Sequence, residues 1–177
     1  MKKNERLSHW LESWRPCPEN GLPPEYVAFV GLFNIGAYYE AHDILEHLWL
    51  RCADSNRSFF QGLIQLAGAF VHFQKHLRHP LHPTHSRRLA PGARLLVLAA
   101  NRLRPYGGSY WNLNLESLLR VCLLWEQQAR EGGNPLQTLE SPRLEGDRFR
   151  FTEIAPDAIE RLVQGDTPGD AAQERKR

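Results

Sequence analysis

The chain has 177 residues, 42% of them hydrophobic and 24% charged, with a net charge of +2. That is enough for one domain with a real core, and the composition is that of a soluble globular protein rather than a fibrous or low-complexity one. No apolar run reaches the roughly 18 residues of a membrane-span candidate, and the start, MKKNERLSHW, lacks the apolar stretch of a signal peptide. A cytoplasmic location and no membrane partner are the expectations.

Nearly every periodic segment reads as helix. Leu7, Trp10, Leu11 and Trp14 form a short amphipathic stripe, followed by the proline-rich break RPCPENGLPPE. Residues 1–22 are therefore an N-terminal extension and linker. Pro23 and Pro24 suit the start of a first main helix, EYVAFVGLF, which ends at a tight turn over Asn34, Ile35 and Gly36. A second helix runs from about Ala37 to Ala53. Ser58 and Gln61 fit a capping box that opens a third, FFQGLIQLAGAFVHFQKHL. The stretch RHPLHPTHSRRLA is a loop or short irregular helix. Pro91 at the first helical position opens a fourth helix that ends near Arg104. Asn112 or Asn114 caps a fifth, LESLLRVCLLWEQQAR, closed by Gly132 and Gly133. Residues 23–133 thus form an all-α domain, a compact antiparallel bundle of about five main helices, because short turns make consecutive helices antiparallel neighbours. Residues 134–177 form a C-terminal extension, with a brief extended segment at RFRF, a short helix over Pro156–Val163 and a disordered tail of about twelve residues.

The chemistry concentrates in the second helix, where YYEAHDILEHLWL carries His42, Glu46 and Trp49 spaced H-x-x-x-E-x-x-W. Residues three and four apart share a helix face, so an imidazole, a carboxylate and an indole line one stripe, with Tyr38 one turn before them. Folding the second and third helices about a turn near Asn56 sets His42 opposite residue 70 and Glu46 opposite residue 66. Gln61, Gln65 and His72 then supply a facing polar stripe. Two imidazoles and a carboxylate, with a water, make a familiar open metal site. His42, Glu46 and His72 are the candidate ligands for zinc or another divalent metal, and Tyr38, Trp49, Gln61 and Gln65 line the pocket. Without metal, His42 and Glu46 are the acid–base pair. A polar cluster that only fixes helix register is the structural alternative. The spacing is neither H-E-x-x-H nor H-x-x-E-H, which argues against a zinc peptidase, and His47, about 140° around the helix from His42, is expected to be exposed.

Charge is uneven. Between Ser55 and Leu115 there is no Asp or Glu, while Arg57, Lys75, Arg78, Arg87, Arg88, Arg94, Arg102 and Arg104 all fall there. That pattern offers a nucleic-acid or other anion-binding module, with Arg87, Arg88, Arg94, Arg102 and Arg104 as contacts and Tyr106, Tyr110 and Trp111 as stacking groups. Compensation by acids on neighbouring helices is the alternative. His72, His76, His79, His82 and His85 crowd one stretch and read as a solvated helix end that binds metal adventitiously. Cys17, Cys52 and Cys122 are odd in number and far apart, and read as reduced thiols.

At these residues the chain resembles the bacterial and archaeal domain-of-unknown-function family 309, whose hallmark is H-x-x-x-E-x-x-W. The resemblance is carried by Phe33, Gly36, Tyr39, Glu40, Ala41, His42, Leu45, Glu46 and Trp49. A second block, FQGLIQLAGAFVH, runs from Phe60 through His72, and Gly92-Ala93 and the Leu-Arg-Pro-Tyr at 103–106 also fit, so that it covers roughly residues 25 to 130. Asp43 stands where Glu is expected. The resemblance implies a small all-α bundle with a metal or active site at the motif, and no particular substrate. Three functions follow as expectations. The first is a binding or catalytic pocket for a small molecule, with a metal-assisted hydrolase as its most concrete form. The second is the anion-binding module, and the third a structural protein whose Leu7/Trp10/Leu11/Trp14 stripe docks on its own core, on a partner or on a second copy in a homodimer.

Overall fold

A proline at the start of a helix loses no hydrogen bond, since the first N–H groups have no intrahelical acceptor. Pro24 accordingly opens α1 (Pro24–Asn34), behind Pro23. In the computed structural model the described residues are 21–148, with positions 10, 11, 150, 151, 153, 154 and 158 besides. Leu7 and Trp14, most of the Pro156–Val163 segment and the C-terminal tail lie outside them. The further helices are α2 (Tyr38–Arg51), α3 (Arg57–Arg78), α4 (Leu89–Leu103), α5 (Leu115–Arg130) and the one-turn α6 (Pro135–Thr138). A two-stranded antiparallel ribbon joins α4 to α5, β1 (Ser109–Tyr110) with β2 (Leu113–Asn114). Among the described residues the fold is an all-α bundle of five main helices.

Each helix buries the stripe that its sequence provides. On α4 the buried residues are Gly92, Ala93, Leu96, Ala99, Ala100 and Leu103, and on α5 they are Leu115, Leu118, Cys122, Trp125 and Ala129. Both follow the three-and-four spacing of a half-buried helix. Helix α1 differs: Glu25 through Phe33 are all buried. Its outer side is covered by the C-terminal stretch, where Asn34 donates from Nδ2 to the Leu144 carbonyl at 3.0 Å and accepts from the Leu144 N–H at 2.6 Å. Burial also pushes the Cys122 thiol up to about 12, in keeping with an inert core cysteine.

Helices α2 and α3 form the antiparallel pair expected. Gln74 Nε2 donates to the Gly36 carbonyl at 2.7 Å, and the His42 ring lies over Gly68. Those pairs centre on Ser55, one residue before the expected turn. Gly36 takes φ +80°, which lets the chain reverse between α1 and α2.

Two local expectations change. Ser58 and Gln61 do not form a capping box, because α3 begins at Arg57 with Asn56 as its N-cap, and that cap makes no side-chain bond to the helix. Asn56 Oδ1 instead accepts from Tyr110 Oη at 2.7 Å and Trp111 Nε1 at 3.1 Å. Helix α4 begins two residues before Pro91, which sits in its first turn, where an N–H is not needed. The β1–β2 ribbon was not foreseen. Its turn residues Trp111 and Asn112 have φ of 48° and 62°, a two-residue hairpin turn usually made by Asn-Gly. Asn112 Oδ1 accepts the Arg148 N–H at 2.8 Å, and Tyr26 Oη donates to the Trp111 carbonyl at 2.8 Å, bonds that hold this backbone against its preference.

The α3–α4 crossing is set by Gly92. A Cβ there would lie 2.5 Å from Phe73 Cε1 and 3.0 Å from Cδ1 and Cζ. Gly92→Ala is therefore expected to destabilise the fold by about 1–3 kcal/mol through overpacking, read as a lower denaturation midpoint at unchanged slope.

Trp10 is buried, and its Nε1 donates to the Ala158 carbonyl at 2.7 Å. This member of the N-terminal stripe docks on its own chain. No helix among the described residues is long and apolar enough to cross a membrane.

Candidate functional site

Ala41, Ile44 and Leu45 anchor α2 in the core, which turns His42, Asp43 and Glu46 to its half-buried border. The imidazole of His42 reaches α3 at Gly68, where a Cβ would be 3.9 Å from its Cδ2 and 3.3 Å from Leu95 Cδ1 of α4. Gly68 is thus the point at which α2, α3 and α4 converge, and its missing side chain makes room for Leu95 of α4.

His42, Asp43 and Glu46 each offer one ligand atom, and those atoms lie within 4.8 Å of one another. His42 Nδ1 faces Asp43 Oδ1 at 3.3 Å, the arrangement in which a carboxylate fixes an imidazole tautomer and leaves Nε2 to bind. Sequence reasoning gave Asp43 no role. The signal was present: Asp43 precedes Glu46 by three residues, and positions three apart share a helix face.

His72 lies outside that group, on α3 one turn beyond Gly68. Burial first, then the charges of Arg88, Lys75 and Arg94, push its pKa from 6.5 down to about 4. Its Nδ1 is buried with no protein hydrogen-bond partner, as are Trp49 Nε1 and Gln65 Oε1. Because the folded pKa of His72 lies below its unfolded value, only the unfolded chain takes up its proton between pH 6.5 and about 4. Stability contributed by neutral His72 is full above that window and is lost as pH falls through it. His72→Gln is expected to flatten this part of the stability–pH curve by up to about 2 kcal/mol, a figure discounted for partial solvent exposure.

The remaining expected residues separate. Trp49 carries the Arg57 guanidinium 4.1 Å above its ring, and Arg57 also donates to the Trp49 and Cys52 carbonyls, each at 2.8 Å, closing the C-terminus of α2. Tyr38 sits in the aromatic core, 4.9 Å from Phe33 and 4.8 Å from Phe70 between ring centroids. Gln61 and Gln65 are half-buried one turn apart on α3. His47 is not the exposed residue expected. Its face packs toward α1, with Nδ1 buried and 3.9 Å from Glu25 Oε1, and Glu25 is also paired with Arg51.

The five arginines are spread along α4 and its flanking turns. Arg88 precedes α4, with Arg87 in the 3-10 turn before it and Arg94 within the first half of the helix, while Arg102 and Arg104 lie at the other end, about 20 Å along the axis from Arg88. The aromatic groups expected to stack on bases are engaged within the fold: Tyr106 Oη donates to the Ser55 carbonyl at 2.7 Å, and Tyr110 and Trp111 hold Asn56.

Residues 26–80 match the model of a family described as a domain of unknown function, DUF309. The DUF309 match runs from α1 through α3 and contains His42, Asp43, Glu46, Trp49, Gln65 and His72, whereas α4 with Arg88 and Arg94 lies beyond it. The resemblance expected out to about residue 130 is thus supported over its first part. No curated protein and no solved structure matches the chain.

Proposed function

We propose that the protein holds a divalent metal ion at His42, Asp43 and Glu46 and uses it to activate water for hydrolysis of a small molecule. The observation that carries this reading is the convergence of three ligand atoms within 4.8 Å on the border of α2. One imidazole with two carboxylates suits zinc, manganese or ferrous iron rather than a thiolate-seeking metal. All three donors come from one helix, so they cap one side of an ion and leave the other open to water and substrate. Such an ion lowers the pKa of its bound water and supplies a nucleophile near neutral pH. In this reading His72 and Gln65 present polar groups to the substrate across the α2–α3 border, replacing the assignment of His72 as a ligand.

Metal analysis of protein made without a histidine tag tests the reading. About one ion per chain is expected, surviving replacement of His79, His82 and His85 together. An ion content that vanishes with those three loop histidines would contradict it.

A further inference from the structure

Arg88 and His72 share an unusual condition. Arg88 Nε and His72 Nδ1 are both buried, and neither has a hydrogen-bond partner in the protein. Gly92 of α4 packs on Phe73 of α3, so Arg88, one turn before Gly92, and His72, next to Phe73, lie at the same end of this helix pair. The charges of Arg88, Lys75 and Arg94 all act on His72. No carboxylate of their own segment answers them. The segment from Ser55 to Leu115 contains none, and among the described residues no ion pair involves Lys75, Arg88 or Arg94. Arg88 Nε is the desolvated cationic donor among them, and a bound anion offsets the cost of burying it through charge-assisted hydrogen bonds.

We propose that this end of the α3–α4 pair binds the anionic group, of phosphate type, of the small-molecule substrate. Arg88 and Arg94 supply the guanidinium donors, Lys75 adds charge, and neutral His72 donates from Nδ1 in one tautomer. The inference rests on the proposed metal site for its catalytic meaning, though not for binding. His72 is one turn along α3 from Gly68, over which the His42 ring lies, about 5–6 Å along the helix axis. A phosphate seated there lies beside the place where the metal would activate water, which makes a phosphorylated small molecule the fitting substrate class. A nucleic-acid backbone fits less well, because Arg102 and Arg104 stand at the far end of α4 and the nearby aromatic rings are engaged in the fold.

The test is titration of the metal-free protein with inorganic phosphate, followed by calorimetry and by melting temperature. Stabilisation that rises with phosphate up to about 50 mM is expected, as for any ligand that binds only the folded state. Arg94 is exposed, so Arg94→Gln should fold normally and weaken phosphate binding about tenfold, the effect of losing one charged hydrogen bond. Glu46→Gln should leave phosphate binding intact while losing metal. Absence of stabilisation in the wild type, or undiminished binding in Arg94→Gln, would overturn the anion site. Phosphate binding that appears only with metal and disappears in Glu46→Gln would assign the anion to the ion and also overturn it, while leaving the metal reading standing. Binding of a short oligonucleotide far tighter than phosphate, with a steep salt dependence, would overturn the small-molecule assignment.

Discussion

Glu46→Gln is expected to remove bound metal and, with it, any metal-assisted hydrolysis. The substitution is nearly isosteric and keeps an acceptor oxygen, so packing at this half-buried position is preserved while the charge that balances a divalent ion is lost. Changing only a group that orients a metal ligand weakens metal affinity about 10–100-fold, so loss of a ligand should cost at least about 100-fold. Asp43→Asn and His42→Ala should act in the same direction. The three residues would then behave as one unit, with the double variants little worse than the singles, as expected for groups that share a single ion. If the cluster only fixed helix register, these substitutions would lower stability and leave metal content unchanged. Measured together, metal content and denaturation midpoint separate the two accounts.

Phe70→Ala is expected to be the most damaging single change in the core. The ring lies fully buried on α3 and meets Phe33 of α1 at 5.0 Å, Tyr38 of α2 at 4.8 Å and Trp125 of α5 at 4.5 Å between centroids. One side chain therefore joins four helices. Truncating a buried phenylalanine costs about 3–5 kcal/mol, from lost burial and from the cavity left behind. Against a typical domain stability of about 5–15 kcal/mol, that is a large share. Urea denaturation should show a midpoint lowered accordingly. A loss under about 1 kcal/mol would mean that the interface between these helices can collapse around the gap. Because Tyr38 packs on this ring, the same variant should loosen the start of α2 and so the seating of His42 one turn later.

Helices and their pairing were legible in the sequence because both follow from periodicity and turn residues. Leu118, Cys122, Trp125 and Ala129 recur at helical spacing, and Pro24 and Asn114 begin the helices that their chemistry suits, Asn114 Oδ1 accepting the Ser117 N–H at 2.8 Å. The short ribbon was not legible. Its turn uses Trp111 and Asn112 at positive φ, a conformation that tertiary bonds to Tyr26, Arg148 and Asn56 help sustain. The same ribbon draws the Asn56 side chain away from the helix it precedes, so that α3 starts without a side-chain cap. At the site, the position of His42 and Glu46 followed from their spacing. The roles of Tyr38 and Trp49 did not, because a stripe pattern cannot say which aromatic side chain turns into the core and which lies under an arginine. Nor could composition separate the basic residues into two ends of α4. That placement needs the helix to be laid along α3, where the charges of Arg88 and Arg94 reach His72.

The most direct test of the metal site is a crystal structure of tag-free protein soaked in manganese or zinc, with anomalous scattering recorded at the metal edge. The account predicts one strong peak within bonding distance, about 2.0–2.2 Å, of His42, Asp43 and Glu46. A peak confined to His79, His82 and His85, with none at α2, would contradict it.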